Sequence, residues 1–104
     1  THPGVLRLIQ EAIDAGHRNG IWVGLCGEMA GNPILTPLLV GMGVDELSVS
    51  PATVPMIKDS IRSISLTQAK AVAVEVAGCA TPDEVMTVCR RLIAAEAPEL
   101  LELV

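Results

Sequence analysis

Two short apolar runs, separated by helical patterns, constrain this fold more than any other feature of the sequence. The first, residues 21–26, is almost unbroken and is typical of a strand buried on both faces. The second covers residues 45–50. A helical pattern over Pro3–Arg18 precedes the first run, and another over residues 34–42 separates the two, with Pro37 expected to shorten or bend it. This alternation predicts two parallel strands joined by a right-handed helical crossover, and therefore an α/β fold.

Three further helical patterns follow, and each begins with a residue suited to cap it. We expect caps at Thr53, at Ser65 with Gln68 as its capping-box partner, and at Thr81 ahead of Pro82. The Glu- and Leu-rich tail beyond the last helix has no pattern that predicts its order.

The apolar composition supports buried parallel strands covered by helices. The 104 residues are 50% hydrophobic but include no Phe, no Tyr and one Trp, so small and branched aliphatic side chains dominate. Two strands alone rarely make a stable sheet. We therefore expect residues 1–104 to be one piece of a larger domain with more strands.

Charge and cysteine content exclude several classes of protein. Seven basic against twelve acidic residues give a net charge of −5, with no basic cluster beyond Arg90 and Arg91, so we expect no binding to nucleic acid. The longest apolar stretch, residues 34–44, is broken by polar, Gly and Pro residues and is shorter than a bilayer requires, so we expect no membrane insertion. Three cysteines without CxxC spacing favour neither a disulfide framework nor a zinc site, and indicate a cytoplasmic protein.

Cys26 is the candidate catalytic residue. It follows an apolar strand and precedes a Gly-rich loop, and in barrels of alternating strands and helices such strand ends build the active site. Gly27 and Gly31 would allow the backbone to approach a small ligand. An ordinary thiol is mostly protonated at neutral pH, so it can donate a proton to an enolate. Most lone cysteines are small buried residues instead, and we interpret Cys79 and Cys89 in that way, on inward helix faces.

Three sequence segments carry a resemblance to a known family. They are Trp-Val-Gly-Leu-Cys-Gly-Glu-Met-Ala-Gly at residues 22–31, His-Pro-Gly-Val-Leu-Arg-Leu-Ile at 2–9, and Gly-Met-Gly-Val-Asp-Glu-Leu-Ser-Val-Ser at 41–50. Together they resemble enzyme I, the phosphoenolpyruvate–protein phosphotransferase of the sugar phosphotransferase system. The similarity extends through Val54 and Pro55 and, more faintly, to residues 81–84. Pyruvate phosphate dikinase has a related Cys-Gly-Glu core. Asn32 departs from the Asp that the family commonly has before Pro33.

The resemblance implies that the chain is the C-terminal portion, the last two strands and their helices, of a phosphoenolpyruvate-binding TIM (β/α)8 barrel. It implies a magnesium-dependent parent transferase that moves a phosphoryl group from phosphoenolpyruvate to a histidine and on to HPr, releasing pyruvate. It also implies that Cys26 is the proton donor. The family's phosphate-binding arginines, Mg²⁺ ligands and phosphorylated histidine lie upstream of Thr1, so this segment alone should be inactive and bind no cofactor.

Two alternatives stay open on the sequence. One is a dikinase or phosphoenolpyruvate synthase relative; the other is a piece that acts only in dimerisation, because open strand edges favour a homo-oligomer. Glu28, Ser48 and Ser50 are weaker site candidates, each equally well explained by an ordinary loop or strand end. We interpret His17 as a residue that suits a helix C-terminus, and Trp22 as packing.

Overall fold

The computed structural model describes residues 1–103 as a mainly helical chain with one small parallel sheet. Its elements are α1 (Pro3–Arg18), β1 (Gly24–Leu25), α2 (Thr36–Met42), β2 (Glu46–Leu47), α3 (Val54–Arg62), α4 (Leu66–Ala77), α5 (Pro82–Glu96) and a 3-10 helix (Pro98–Leu103). The order of helices and strands is the predicted one, and it is compatible with part of an α/β domain.

Helix α1 has the predicted bounds because both of its ends are satisfied locally. His2 Nδ1 accepts a hydrogen bond from the Gly4 backbone N–H at 2.9 Å, and Pro3 occupies the first turn, where its missing N–H costs nothing. Leu6 and Ile13 are buried on the inner face.

The sheet is parallel, as predicted, but its strands are shorter. Gly24 pairs with Glu46 and Leu25 with Leu47, and single hydrogen bonds continue the pairing by one residue at each end. The prediction that the first strand is buried on both faces is wrong. Gly24 is exposed and the side chain of Trp22 is 66% exposed, so Trp22 is not a packing residue in this chain. Helices cover one face of the strands, and among residues 1–103 nothing covers the other.

Helix α2 begins two residues later than predicted, and this shortening agrees with the expectation for Pro37. The side chain of Asn32 accepts a hydrogen bond from the Ile34 N–H at 3.0 Å, which holds residues 32–35 in a turn. Pro37 then lies in the first helical turn, where its missing N–H needs no partner. Gly43, with φ of 98°, ends α2 in the left-handed region.

Two of the three predicted caps are confirmed. Ser65 and Gln68 form a reciprocal capping box at α4, and the Thr81 hydroxyl accepts from the Glu84 N–H at α5. The cap at Thr53 is wrong, because Thr53 has helical backbone angles and its hydroxyl is bonded to Ser50 Oγ at 2.8 Å instead.

The core lies between the helices, with α2 at its centre. At Gly41 the backbone of α2 runs so close to α4 that a Cβ would lie 2.5 Å from the carbonyl carbon of Ala69. The C-terminal tail, whose order the sequence did not predict, folds back over α5 and buries Leu100 beside Ile93 and Ala97. No helix in residues 1–103 combines the length and hydropathy that crossing a bilayer requires.

Candidate functional site at the carboxyl end of the sheet

Cys26 lies immediately after β1, at the carboxyl end of the parallel sheet, and it is exposed. Gly27, the next residue, has φ of +100°, a conformation that favours glycine. A Cβ on Gly27 would meet nothing within 4 Å, so backbone angle rather than crowding explains this glycine. The chain turns sharply there and leaves the thiol at the strand end.

The other two thiols are buried. Cys89, on the inner face of α5, is fully buried, and burial raises its pKa to about 12. Cys79 is buried as predicted, but it lies in the turn between α4 and α5 rather than on a helix face. Burial, followed by the negative charges of Glu84 and Glu75, raises the pKa of Cys79. Among the three thiols only Cys26 is positioned to meet a solute.

Gly27, the residue after Cys26, lines an open hollow of about 580 Å³. The hollow lies between the loop that follows β1 and the segment that follows β2. Its lining residues are Gly27, Glu28, Gly31, Ser48, Val49, Ser50 and Thr53. The structure therefore brings the weaker candidates Glu28, Ser48 and Ser50 together with the loop of Cys26.

The polar groups of the hollow are held mainly by their near neighbours. Ser48 Oγ donates to Glu46 Oε1 at 3.2 Å, while Ser50 Oγ is bonded to Thr53 Oγ1. The Glu28 carbonyl accepts from the Gly31 N–H at 3.1 Å and closes the loop. Gly31 would tolerate a Cβ in ordinary contact with Thr53, so nothing here requires it to be glycine.

The floor of the loop is apolar. Ala30 is fully buried and Met29 is half-buried against the core, so both attach the loop to the helices behind it. The loop that lines one side of the hollow therefore has a buried base and begins directly after the exposed Cys26.

Sequence reasoning missed the role of Asp45. Its Oδ2 lies 2.7 Å from His17 Nε2 and accepts from the Val23 N–H at 2.8 Å. The His17 hydrogen bond, followed by the Val23 N–H, holds the pKa of Asp45 below its ordinary value. This carboxylate ties α1, β1 and β2 together at the amino end of the sheet, opposite Cys26. Because His17 and Asp45 are 28 residues apart in the sequence, no local sequence pattern signals their contact.

Comparison with known proteins identifies the family. The family model for the PEP-binding domain of PEP-utilising enzymes matches residues 1–66, more than half of the chain. The phosphoenolpyruvate-protein phosphotransferase of Haemophilus influenzae is 51% identical over 72 residues, which are 69% of this chain and 12% of that protein. The protein of the same name from Buchnera aphidicola subsp. Schizaphis graminum is 41% identical over 91 residues, 88% of this chain and 16% of that protein.

A third relative, from Geobacillus stearothermophilus, has the same name and is 39% identical over 90 residues, covering 86% of this chain and 16% of its own length. The chain thus spans no more than about one-sixth of the length of these relatives. The chain belongs to the PEP-utilising enzyme family and matches its PEP-binding domain.

Proposed function

We propose that Cys26 is the proton donor of a phosphoenolpyruvate-dependent protein phosphotransferase, and that this chain supplies it. The observation that carries the proposal is the contrast among the thiols. Cys26 is exposed at the carboxyl end of a parallel strand, directly before the loop that lines an open hollow, whereas Cys79 and Cys89 are buried. Strand ends of this kind are where α/β barrels hold their catalytic groups.

The reaction requires a general acid that donates a proton to a carbon atom. When phosphoenolpyruvate loses its phosphoryl group to a histidine, the P–O bond breaks and the electron pair stays on the enolate of pyruvate. The carbon atom of that enolate then takes a proton, forming the C–H bond of the methyl group. A thiol that is protonated at neutral pH can supply this proton and become a thiolate. The phosphohistidine would pass its phosphoryl group to HPr.

The rest of the site belongs to other parts of the parent protein. We propose that residues 1–104 form the last two strands and associated helices of a (β/α)8 barrel, whose remaining strands cover the exposed face that includes Trp22 and Gly24. Residues 1–103 contain no group of three His, Cys, Asp or Glu side chains that could hold a metal ion. We assign no ligand of the Mg²⁺ that the resemblance implies to this chain, and we derive no step through that ion.

The names of the relatives favour the phosphotransferase over a dikinase or a synthase. The three relatives compared above are each named phosphoenolpyruvate-protein phosphotransferase, at 39–51% identity. The alternative in which the segment serves association alone gains no support from them.

Proton transfer to carbon can be tested without the histidine. In D₂O, a protein that deprotonates and reprotonates pyruvate exchanges its methyl hydrogens, which proton NMR detects as loss of the methyl signal. The full-length protein should catalyse this exchange with Mg²⁺ present. Cys26→Ala should lose it, while the buried-thiol variant Cys79→Ala keeps it. Exchange by Cys26→Ala at the rate of the unmodified protein would overturn the proposal.

We also propose that the 104-residue chain by itself forms dimers or larger homo-oligomers. Ile21 and Trp22 are 62% and 66% exposed beside a sheet whose outer edges are unpaired within residues 1–103. Exposed apolar strands of this kind pair readily with another copy. Light scattering at micromolar protein should give at least a dimer mass, and a sharp monomer mass would contradict this.

A further inference from the structure

Cys26 and Ser48 occupy neighbouring positions on the two strands. The pairing Gly24 with Glu46 and Leu25 with Leu47 brings Cys26 opposite Ser48 at the next position, and the Ser48 N–H donates to the Leu25 carbonyl at 2.9 Å. Adjacent strands are about 4.8 Å apart. Two side chains at this register on the same face are therefore neighbours.

The alternation of burial along the strands indicates that the two side chains share a face. Leu25 and Leu47 are half-buried towards the helices, whereas Cys26 and Ser48 are both exposed. Because successive side chains on a strand point to opposite faces, Cys26 and Ser48 lie on the open face together. That face borders the hollow in which the proposed substrate would bind.

The Ser48 hydroxyl can change its partner. At rest Ser48 Oγ donates a long hydrogen bond, 3.2 Å, to the exposed carboxylate of Glu46, two residues earlier on the same face. Rotation about a single side-chain bond would turn the hydroxyl towards the neighbouring strand. A hydroxyl that donates to an ionised sulfur makes a charge-assisted hydrogen bond, which is stronger than a neutral one.

From this geometry we propose that Ser48 is a positioning residue for Cys26: its hydroxyl donates a hydrogen bond to the thiolate that remains after Cys26 has given its proton to carbon. The catalytic role of Ser48 rests on the proposed function of Cys26. The contact between the two side chains does not depend on that function. In the step, the S–H bond breaks, the C–H bond forms, and the negative charge moves from the enolate to sulfur. Ser48 keeps its own proton, and the thiolate recovers a proton from water.

The surrounding charges give Ser48 a specific task. Glu46 on β2 and Glu28 on the loop after β1 are the carboxylates beside the open face, and both would oppose a thiolate there. Lys58, on α3, lines a separate groove with Glu46, behind β2. His17 and Asp45 pair at the opposite end of the strands. A hydroxyl donor at position 48 therefore offsets a negative environment near the sulfur.

Alkylation of this chain tests the contact without any need for enzyme activity. The rate at which iodoacetamide modifies Cys26 is measured by mass spectrometry from about pH 6 to 10. Removing the donor in Ser48→Ala should move the pH of half-maximal rate upward by about half to one unit, as loss of one such hydrogen bond predicts. Ser48→Thr, which retains a hydroxyl, should restore the original midpoint.

Ser50→Ala is the matched control, because Ser50 lines the same hollow but is bonded to Thr53 rather than placed beside Cys26. It should leave the midpoint unchanged. If Ser48→Ala and Ser50→Ala have the same pH of half-maximal alkylation, or if Ser48→Thr fails to restore the original midpoint, the inference is overturned.

In the full-length protein, Ser48→Ala should lower kcat for pyruvate release by about three- to tenfold at unchanged KM for phosphoenolpyruvate. A shifted alkylation midpoint in Ser48→Ala, combined with full pyruvate release by Cys26→Ala, would show that the contact exists but that the proposed function of Cys26 is wrong. An unshifted midpoint, combined with loss of release in Cys26→Ala, would overturn the role of Ser48 and leave Cys26 as the donor.

Discussion

His17 and Asp45 lie 28 residues apart in the sequence, yet His17 Nε2 is 2.7 Å from Asp45 Oδ2. The same carboxylate oxygen accepts the Val23 N–H, and the Asp45 N–H donates to the Val23 carbonyl at 2.9 Å. One side chain therefore connects the C-terminal end of α1 with the starts of both strands. It fixes the amino end of a sheet whose carboxyl end carries Cys26.

The first prediction concerns the pH dependence of stability through Asp45. Because folding lowers the pKa of this group below its ordinary 3.8, its contribution is present above that value and is lost as the pH falls through the folded pKa. The melting temperature, measured by circular dichroism, should therefore fall more steeply below about pH 4 in the unmodified chain than in Asp45→Asn.

Asp59→Asn, at an exposed position on α3, is the control for a general loss of negative charge. It should reproduce the acid dependence of the unmodified chain. An equal slope for Asp45→Asn and the unmodified chain would mean that the His17 and Val23 contacts contribute nothing to stability at neutral pH.

The second prediction concerns the contact between α2 and α4. A methyl group at Gly41 would collide with the backbone of Ala69, and backbone cannot move aside as a flexible side chain can. Gly41→Ala should therefore lower the free energy of unfolding by about 1–3 kcal/mol, as overpacked cores do. Urea-induced unfolding measures this change in free energy. Gly78→Ala, where the added methyl would make ordinary contacts, should change stability by less than about 0.5 kcal/mol. Similar values for both variants would contradict the close approach.

The third prediction concerns the start of α5. The Thr81 hydroxyl accepts from the Glu84 N–H at 3.2 Å, so Thr81→Ala should cost about 0.5–2 kcal/mol of stability. Thr87, inside the same helix, only bonds back to the Asp83 carbonyl, and Thr87→Ala should be neutral or slightly stabilising. Chemical denaturation of the two variants gives the comparison. A larger loss in Thr87→Ala than in Thr81→Ala would argue against the cap.

The fourth prediction concerns the reactivity of the thiols. Burial raises the pKa of Cys89 to about 12 and also raises that of Cys79, whereas Cys26 is exposed. Intact-mass measurement after brief alkylation near pH 8 should find one adduct on the native chain, on Cys26, and three after denaturation. Two or three adducts appearing together on the native chain would show that the helical core around Cys89 is open.

The accuracy of the sequence predictions depended on whether the determining contacts were local. Helix α1 and the caps at Ser65 and Thr81 were predicted correctly because each depends on residues within one turn. Thr53 was predicted wrongly because Ser50, three residues earlier, competes for its hydroxyl. The 3-10 helix over the C-terminal tail was not predicted, since its formation depends on Leu100 finding space beside Ile93.

The accuracy of the predictions for the site also depended on whether the determining contacts were local. The position of Cys26 at a strand end followed from an apolar run and a Gly-rich loop, both of which are local signals. The burial of the strands was overestimated because apolar residues such as Trp22 indicate a covered face without showing which chain segment covers it. The Asp45 contacts and the Ser48 register depend on pairing across 22 residues, which no single-sequence pattern encodes.

Pyruvate release tests the central claim, that Cys26 is the proton donor, most directly. The measurement compares the full-length protein with its Cys26→Ala variant in the presence of HPr and Mg²⁺, with far-UV circular dichroism and phosphoenolpyruvate binding as checks on folding. We predict that release falls by at least about a hundredfold, the range for general acid catalysis, while both checks are unchanged. Release within twofold of the unmodified rate would contradict the account and leave Cys26 as an exposed residue without a catalytic role.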